Sequence, residues 1–283
     1  MSVLYVVATP IGNLGDITLR ALETLKNADI IAAEDTRQTQ KLLNHFDIRT
    51  KLVSYHKFNE KSRGEELIDS MLEKELSVAL VSDAGTPAVS DPGAVLVRLA
   101  IQKNIPVYAL PGASAAVAAL SMSGFTNTEF AFYGFPPRKK NEIVRFLKSV
   151  PNRAHTAIFY ESPHRIKSLL QLMQDVYHGF ECAVFSDITK LFEKSFHGTI
   201  TEVYNAILED EKAEKGEYTV LVNIEEVKAQ EDSSELKSLE ALLVDEMINN
   251  NLNSKEAINS LALKNYNKNA LYNAALNLKK MIS

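Results

Sequence analysis

The 283-residue chain has almost no cysteine. Its one thiol, Cys182, cannot form a disulfide within the chain and fits a reducing cytoplasm. Set just before Ala183-Val184-Phe185, it reads as a small buried hydrophobe. Long apolar runs are also missing. None approaches the roughly 20 residues that a membrane helix needs, so no membrane partner is expected. The opening Met1-Ser2-Val3-Leu4-Tyr5 lacks the basic stretch of a signal peptide. Positive charge is not in excess: the net charge is -5. That argues against a general electrostatic grip on nucleic acid and leaves room only for a local basic patch. Several chemical signatures are absent as well. Without a Walker A sequence no P-loop phosphate cradle is indicated, and without GxGxxG after the first strand dinucleotide binding is disfavoured. The histidines show no HxxxH or comparable spacing, so no metal is expected. A serine on a GxSxG elbow is missing too.

What is present is a regular alternation. Residues 3–8, 30–33, 51–55, 78–81 and 106–110 read as strands. Helical patterns over 19–26, 38–45, 60–74, 94–101 and 113–122 fall between and after them. Thr18 is placed to cap the first helix, and Asp91 followed by Pro92 to cap the fourth. This order implies an α/β fold with a parallel sheet covered on both faces. The pattern restarts after Gly124, with strands over 130–135, 157–160, 182–186 and 218–224 and helices over 165–177 and 201–209. The expected organisation is an α/β domain over 1–123, a second over 124–228, and a tail over 229–283. The tail combines a polar linker at 229–235 with amphipathic helices over 236–249, 254–265 and 268–281. It resembles a helix-turn-helix appendage and reads equally as a packing tail or a nucleic-acid contact.

The chemistry concentrates where strands stop. The loop Ser82-Asp83-Ala84-Gly85-Thr86-Pro87 is stiff, and Ala84 and Gly85 let a ligand approach the backbone. Thr9-Pro10-Ile11-Gly12-Asn13-Leu14, Glu34-Asp35-Thr36-Arg37 and Pro111-Gly112-Ala113-Ser114 also follow strands of the first half. Each alone is an ordinary turn. In a parallel sheet all four gather along one edge, where ligands of such folds usually sit.

These segments, with Ser90-Asp91-Pro92-Gly93 and Tyr160-Glu161-Ser162-Pro163-His164-Arg165, resemble the ribosomal RNA small-subunit methyltransferase I family of the tetrapyrrole-methylase superfamily. The resemblance runs from about Val3 to Ile224, and more loosely through the tail. Two departures stand out: Pro136 where the family usually has Leu, and Ser186-Asp187-Ile188-Thr189-Lys190 where it typically shows an Arg-Glu pair. Lys190, Glu193 and Gly198 fit the pattern. The resemblance implies class III methyltransferase architecture, with an S-adenosylmethionine cleft between two α/β domains. It also implies ribose 2′-O-methylation of a decoding-region cytidine in 16S rRNA, a substrate met either as naked rRNA or as the assembled small subunit, and a cytoplasmic homodimer. Other chemistry of the superfamily, on a tetrapyrrole or diphthine-like substrate, and a non-catalytic ribosome-assembly role stay open.

Under that reading, cofactor contacts are expected from Ala84, Gly85, Ala113 and Ser114, whose small side chains expose backbone, and from Thr86. Pro10, Ile11 and Gly12 would form the opposite lip. Asp83 either touches the cofactor or only holds its turn. Tyr160 either closes the pocket or packs inward. Glu34 or Asp35 is the candidate base for the 2′-hydroxyl; the alternative is that they merely orient Arg37. RNA contacts are expected from Arg138, Lys139 and Lys140 after a Pro-Pro stop, and from His164 and Arg165 at a helix start.

Overall fold

The computed structural model describes residues 2–125, 128–150, 155–224, 238–250, 252–263 and 266–282. The chain divides into two compact units, residues 1–224 and 225–283.

In the larger unit the first sheet is built from β1 (Val3–Val7), β2 (Ile30–Ala33), β3 (Lys51–Ser54), β4 (Ser77–Val81) and β5 (Val107–Leu110). Their order is β3-β2-β4-β1-β5, and every pairing is parallel. Both faces are buried, as the unbroken apolar strands require. On one face Leu4, Ile30, Val78 and Leu80 pack against α3 (Glu60–Lys74) and α4 (Ala94–Gln102). On the other, Val7, Ile31, Ala79 and Val81 meet α1 (Leu19–Asn27) and α2 (Thr36–His45). Thr18 caps α1 as expected, its hydroxyl accepting from Ala21 N at 3.1 Å. Asp91 does not cap α4. That helix starts later, with Gly93 as the flanking residue and no side-chain cap; the Gly93 N–H instead donates to Glu60 Oε1 at 3.0 Å.

The second sheet is mixed. It comprises β6 (Phe130–Phe132), β7 (Thr156–Glu161), β8 (Glu181–Ser186), β9 (Lys194–Thr199) and β10 (Tyr218–Asn223) in the order β6-β7-β10-β8-β9. Only the β6–β7 pair is parallel. The edge strand β9 was not expected, because Lys194-Ser195-Phe196-His197-Gly198 has no apolar run. An edge strand with one solvated face does not need one. One face of this sheet carries α6 (Lys140–Lys148), α7 (Ile166–Val176) and α8 (Ile200–Glu209) over a core that includes Phe159, Val184 and Cys182. The other face receives α5 (Ala115–Met122) from the first half: Ala116, Ala119 and Leu120 lie against Ile158, Ala183, Phe185 and Leu221. Small residues let α5 approach that face closely. The two sheets therefore belong to one compact unit.

The smaller unit contains α9 (Leu239–Asn249), α10 (Ser254–Leu263) and α11 (Lys268–Ile282), which share a core of Leu243, Ala257, Ile258, Leu261, Leu271 and Ala274. The linker expected at 229–235 lies outside the described residues. Among the described residues no helix is long and apolar enough to cross a membrane.

Candidate active site

Hydrogen bonds lace the strand-end loops together. Thr9 and Gly85 exchange both backbone bonds, at 2.9 and 3.0 Å, and the Thr9 hydroxyl donates to Ser82 O at 3.1 Å. Gly85 holds φ = +80°, a left-handed value that strains any residue with a Cβ. The Thr86 hydroxyl donates to Ala113 O at 3.2 Å, which ties the loop after β4 to the loop after β5. The Asp35 N–H donates to Asp83 Oδ1 at 3.0 Å, which ties in the loop after β2.

The second half closes over this edge. The Tyr160 hydroxyl accepts from Ala116 N at 3.1 Å, pinning the start of α5 to β7. Asn13 N donates to Thr189 Oγ1 at 3.1 Å. Gly12 sits so close to Lys190 that a Cβ there would lie 2.5 Å from its Cγ, so a larger residue would push the loops apart. Asp187 and Thr189 both have positive φ, 54° and 70°. This conformation is uncommon outside glycine and costs backbone energy. Here it shapes the wall around Ile188.

Between the halves lies a cavity of about 480 Å³, within the range of small-molecule sites. From the first half Ile11, Ala84, Gly85, Thr86, Ser114 and Ala115 line it, with Val89, Ser90 and Asp91 beyond them. From the second half come Phe135, Tyr160, Glu161, Ile188 and the run Gly216–Thr219. Ile11, Ala84, Gly85, Thr86, Ser114 and Tyr160 thus meet in one wall. Pro10, Gly12, Asp83 and Ala113 are not among the lining residues. Asp83 turns its carboxylate to the Asp35 backbone, and Ala113 offers its carbonyl to Thr86. Tyr160 lines the cavity, and its ring lies 4.8 and 5.8 Å from those of Phe132 and Phe135.

Sequence reasoning missed Asp91 as a wall residue because Asp-Pro before a helical pattern looks like a cap. It missed Gly216–Thr219 because the start of a buried strand carries no chemical signature. The one available signal was a Gly-Glu pair directly before β10.

Carboxylates crowd one side of the site. Burial pushes Glu34 up to about 7, with Asp91, Asp83, Asp35 and Glu60 adding repulsion. Burial also raises Asp83 and Asp91. Asp35 is held low by hydrogen bonds, first from the Arg37 backbone: Arg37 N lies 2.8 Å from Asp35 Oδ1. The Arg37 side chain is 90% exposed and lies 3.4 Å from the same oxygen. Glu34, Asp35 and Arg37 are not among the lining residues, although Glu34 lies near enough to the lining residue Asp91 to feel its charge.

The basic residues split. Arg138, Lys139, Lys140 and His164 are exposed, and the first three stand at the N-terminus of α6. Arg165, expected to contact RNA, is half-buried and bonded within the protein. Its Nη2 lies 2.9 Å from Glu161 Oε2 and donates to Pro136 O and Pro137 O at 3.1 and 2.8 Å. It anchors the loop that carries Arg138.

Comparison with known proteins agrees with this architecture. The family model described as tetrapyrrole (corrin/porphyrin) methylases matches residues 3–204. A protein of Halalkalibacterium halodurans named ribosomal RNA small subunit methyltransferase I is 46% identical over 260 residues, covering 92% of this chain and 89% of the relative. Its namesake in Bacillus subtilis is 44% identical over 278 residues, covering 97% of this chain and 94% of the relative. Among solved structures, a diphthine synthase aligns with TM-score 0.61 at 17% identity, covering 81% of this chain and 95% of that one. Uroporphyrin-III C-methyl transferase from Thermus thermophilus, complexed with S-adenyl homocysteine, aligns with TM-score 0.54 at 17% identity, covering 80% of this chain and 99% of that one. At such identities the structural likeness speaks for the fold.

Proposed function

Because the chain belongs to the ribosomal RNA small subunit methyltransferase I family of tetrapyrrole methylases, we propose that it methylates the ribose 2′-oxygen of a decoding-region cytidine in 16S rRNA, with S-adenosylmethionine as donor. The observation that carries this reading is the cavity between the two halves, with the high-pKa carboxylate Glu34 beside it. The donor supplies a methyl group on a cationic sulfur, ready for in-line displacement.

The walls suit such a molecule. Ala84, Ser114 and Ala115 leave the backbone uncovered by bulky side chains, and Gly85, whose own N–H and C=O are bonded to Thr9, keeps the space in front of it open. Ile11, Val89, Phe135 and Ile188 offer apolar surface to a nucleoside. Thr86 and Tyr218 add side chains on opposite walls. Asp83 and Ala113 tie the loops of these walls together, and Gly12 lets the two halves approach.

Glu34 takes the proton of the 2′-hydroxyl. A carboxylate with ordinary acidity is a poor base for an alcohol; one raised toward neutrality is better matched to the task. Asp35 holds Arg37 at the mouth, where its exposed guanidinium can meet a phosphate. Holding acceptor and donor in line lowers the barrier by several kcal/mol on its own.

Arg138, Lys139 and Lys140 grip the rRNA backbone from a helix N-terminus, where backbone N–H groups also favour phosphate. His164 is exposed on the same half and adds to this surface. Arg165 acts through the loop it anchors. The protein works on this reading as a cytoplasmic homodimer, on rRNA or on the assembled subunit.

Mass-spectrometric mapping of 16S rRNA ribose methylation, in cells with and without the gene, tests the function. A single decoding-region cytidine should lose its 2′-O-methyl mark when the gene is deleted and regain it on complementation. An unchanged methylation map would overturn the reading.

A further inference from the structure

The cavity is lopsided in charge. Asp91, Glu161 and Glu217 line it, and no lysine or arginine is among its lining residues. Two of these carboxylates have a cation within ion-pair distance, although Lys190 is shared with Asp187 Oδ1 at 2.7 Å. Glu161 Oε2 lies 2.9 Å from Arg165 Nη2, and Glu217 Oε2 lies 3.0 Å from Lys190 Nζ. Asp91 has no such partner. Among the described residues its carboxylate makes no ion pair, and the charged groups that interact with it, Glu34 and Asp83, are anions. A hydrogen bond with the Ser90 side chain leaves its charge in place. An anion fixed in a partly desolvated wall without a counter-ion draws cations into the space it faces.

We propose that Asp91 is a specificity-determining residue that makes the cavity prefer a nucleoside with a cationic centre, S-adenosylmethionine, over the same nucleoside without it, S-adenosylhomocysteine. The inference rests on the cofactor reading above. The two molecules share the adenosine and the amino-acid zwitterion, so walls of small residues and backbone hold them alike. They differ in a methyl group and the charge on sulfur, and a fixed charge is what discriminates on that ground. Asp91 loses its counter-charge once the methyl group has left, so the wall holds the product less tightly and release is favoured.

Isothermal titration calorimetry on the full chain tests this. The probes are S-adenosylmethionine, S-adenosylhomocysteine and sinefungin, whose amine places a cation near the position of the sulfonium. In Asp91→Asn, affinity for the two cationic probes should fall about tenfold, equivalent to about 1.4 kcal/mol. Affinity for S-adenosylhomocysteine should stay within about twofold on the same scale, which also shows that the variant is folded. Asp91→Glu should keep the preference of the unaltered protein. If Asp91→Asn weakens all three probes alike, or none of them, Asp91 does not read charge and the inference fails while the cofactor reading stands. If the unaltered protein binds none of the three, the cofactor reading fails and takes the inference with it.

Discussion

Glu34 leaves the end of β2 among other carboxylates, and its raised pKa of about 7 has two consequences with opposite signs. As a base it must be ionised, so the single-turnover methylation rate should rise with pH and level off above about 7. Glu34→Gln should lower that rate by about a hundredfold or more while leaving S-adenosylmethionine affinity unchanged; an unaltered rate removes Glu34 from the mechanism. For stability, the folded state holds the Glu34 proton more tightly than the unfolded chain, whose ordinary value is 4.5. Its contribution is therefore most favourable below 4.5 and is lost as pH rises through about 7. Glu34→Gln should then melt higher than the unaltered protein at pH 8, by up to about 1 kcal/mol after solvent screening, with the gap closing at low pH. Thermal melts across pH read this directly. Glu34 was legible as a candidate from its place after a strand. Its elevated pKa was not, because its burial, and the approach of Asp91 and Asp83 through the loop after β4, exist only in the folded chain.

At the scale of elements, the basic segment at the start of α6 is the surface proposed to face RNA, and it is held from inside. Arg165 fastens Pro136 and Pro137, and Lys139 also pairs with Glu142 at 3.1 Å on the helix surface. Replacing Arg138, Lys139 and Lys140 together with alanine should weaken rRNA binding. It should also make the dependence of log Kd on log salt shallower by about two, as expected for three lost phosphate contacts on a single strand. Filter binding across a salt series measures this, and an unchanged slope would place the RNA elsewhere. The charge cluster itself was readable from sequence. That Arg165 belongs to the scaffold was not, since its partners Pro136 and Pro137 are far from it along the chain. The edge strand β9 was lost for a related reason: its pairing with β8, not its own residues, makes it a strand.

For the whole molecule, the meeting of the two sheets is what creates a site. α5 leaves the first half and covers a face of the second sheet, and Tyr160 reaches back to the start of α5. A ligand in the cavity touches both halves, so binding should stabilise the entire larger unit by mass action. S-adenosylmethionine at a hundred times its Kd should add about 2.7 kcal/mol, seen as a rise in the melting temperature by scanning calorimetry. No rise at saturating nucleoside would contradict the assignment of the cavity.

Patterns that act over a few residues were enough to specify the parallel first sheet, the caps and breaks at most strand ends, the small-residue loops and the basic cluster. Backbone sterics and burial of side chains at periods of two and 3.6 are local effects. Other properties belong only to the folded chain: the mixed order of the second sheet, the insertion of α5, the supporting rather than lining role of Asp83, and the unpaired charge of Asp91. Each depends on which groups far apart in sequence share a low-dielectric space. That is settled by how the second sheet, α5 and the strand-end loops of the first half pack together, not by any single segment.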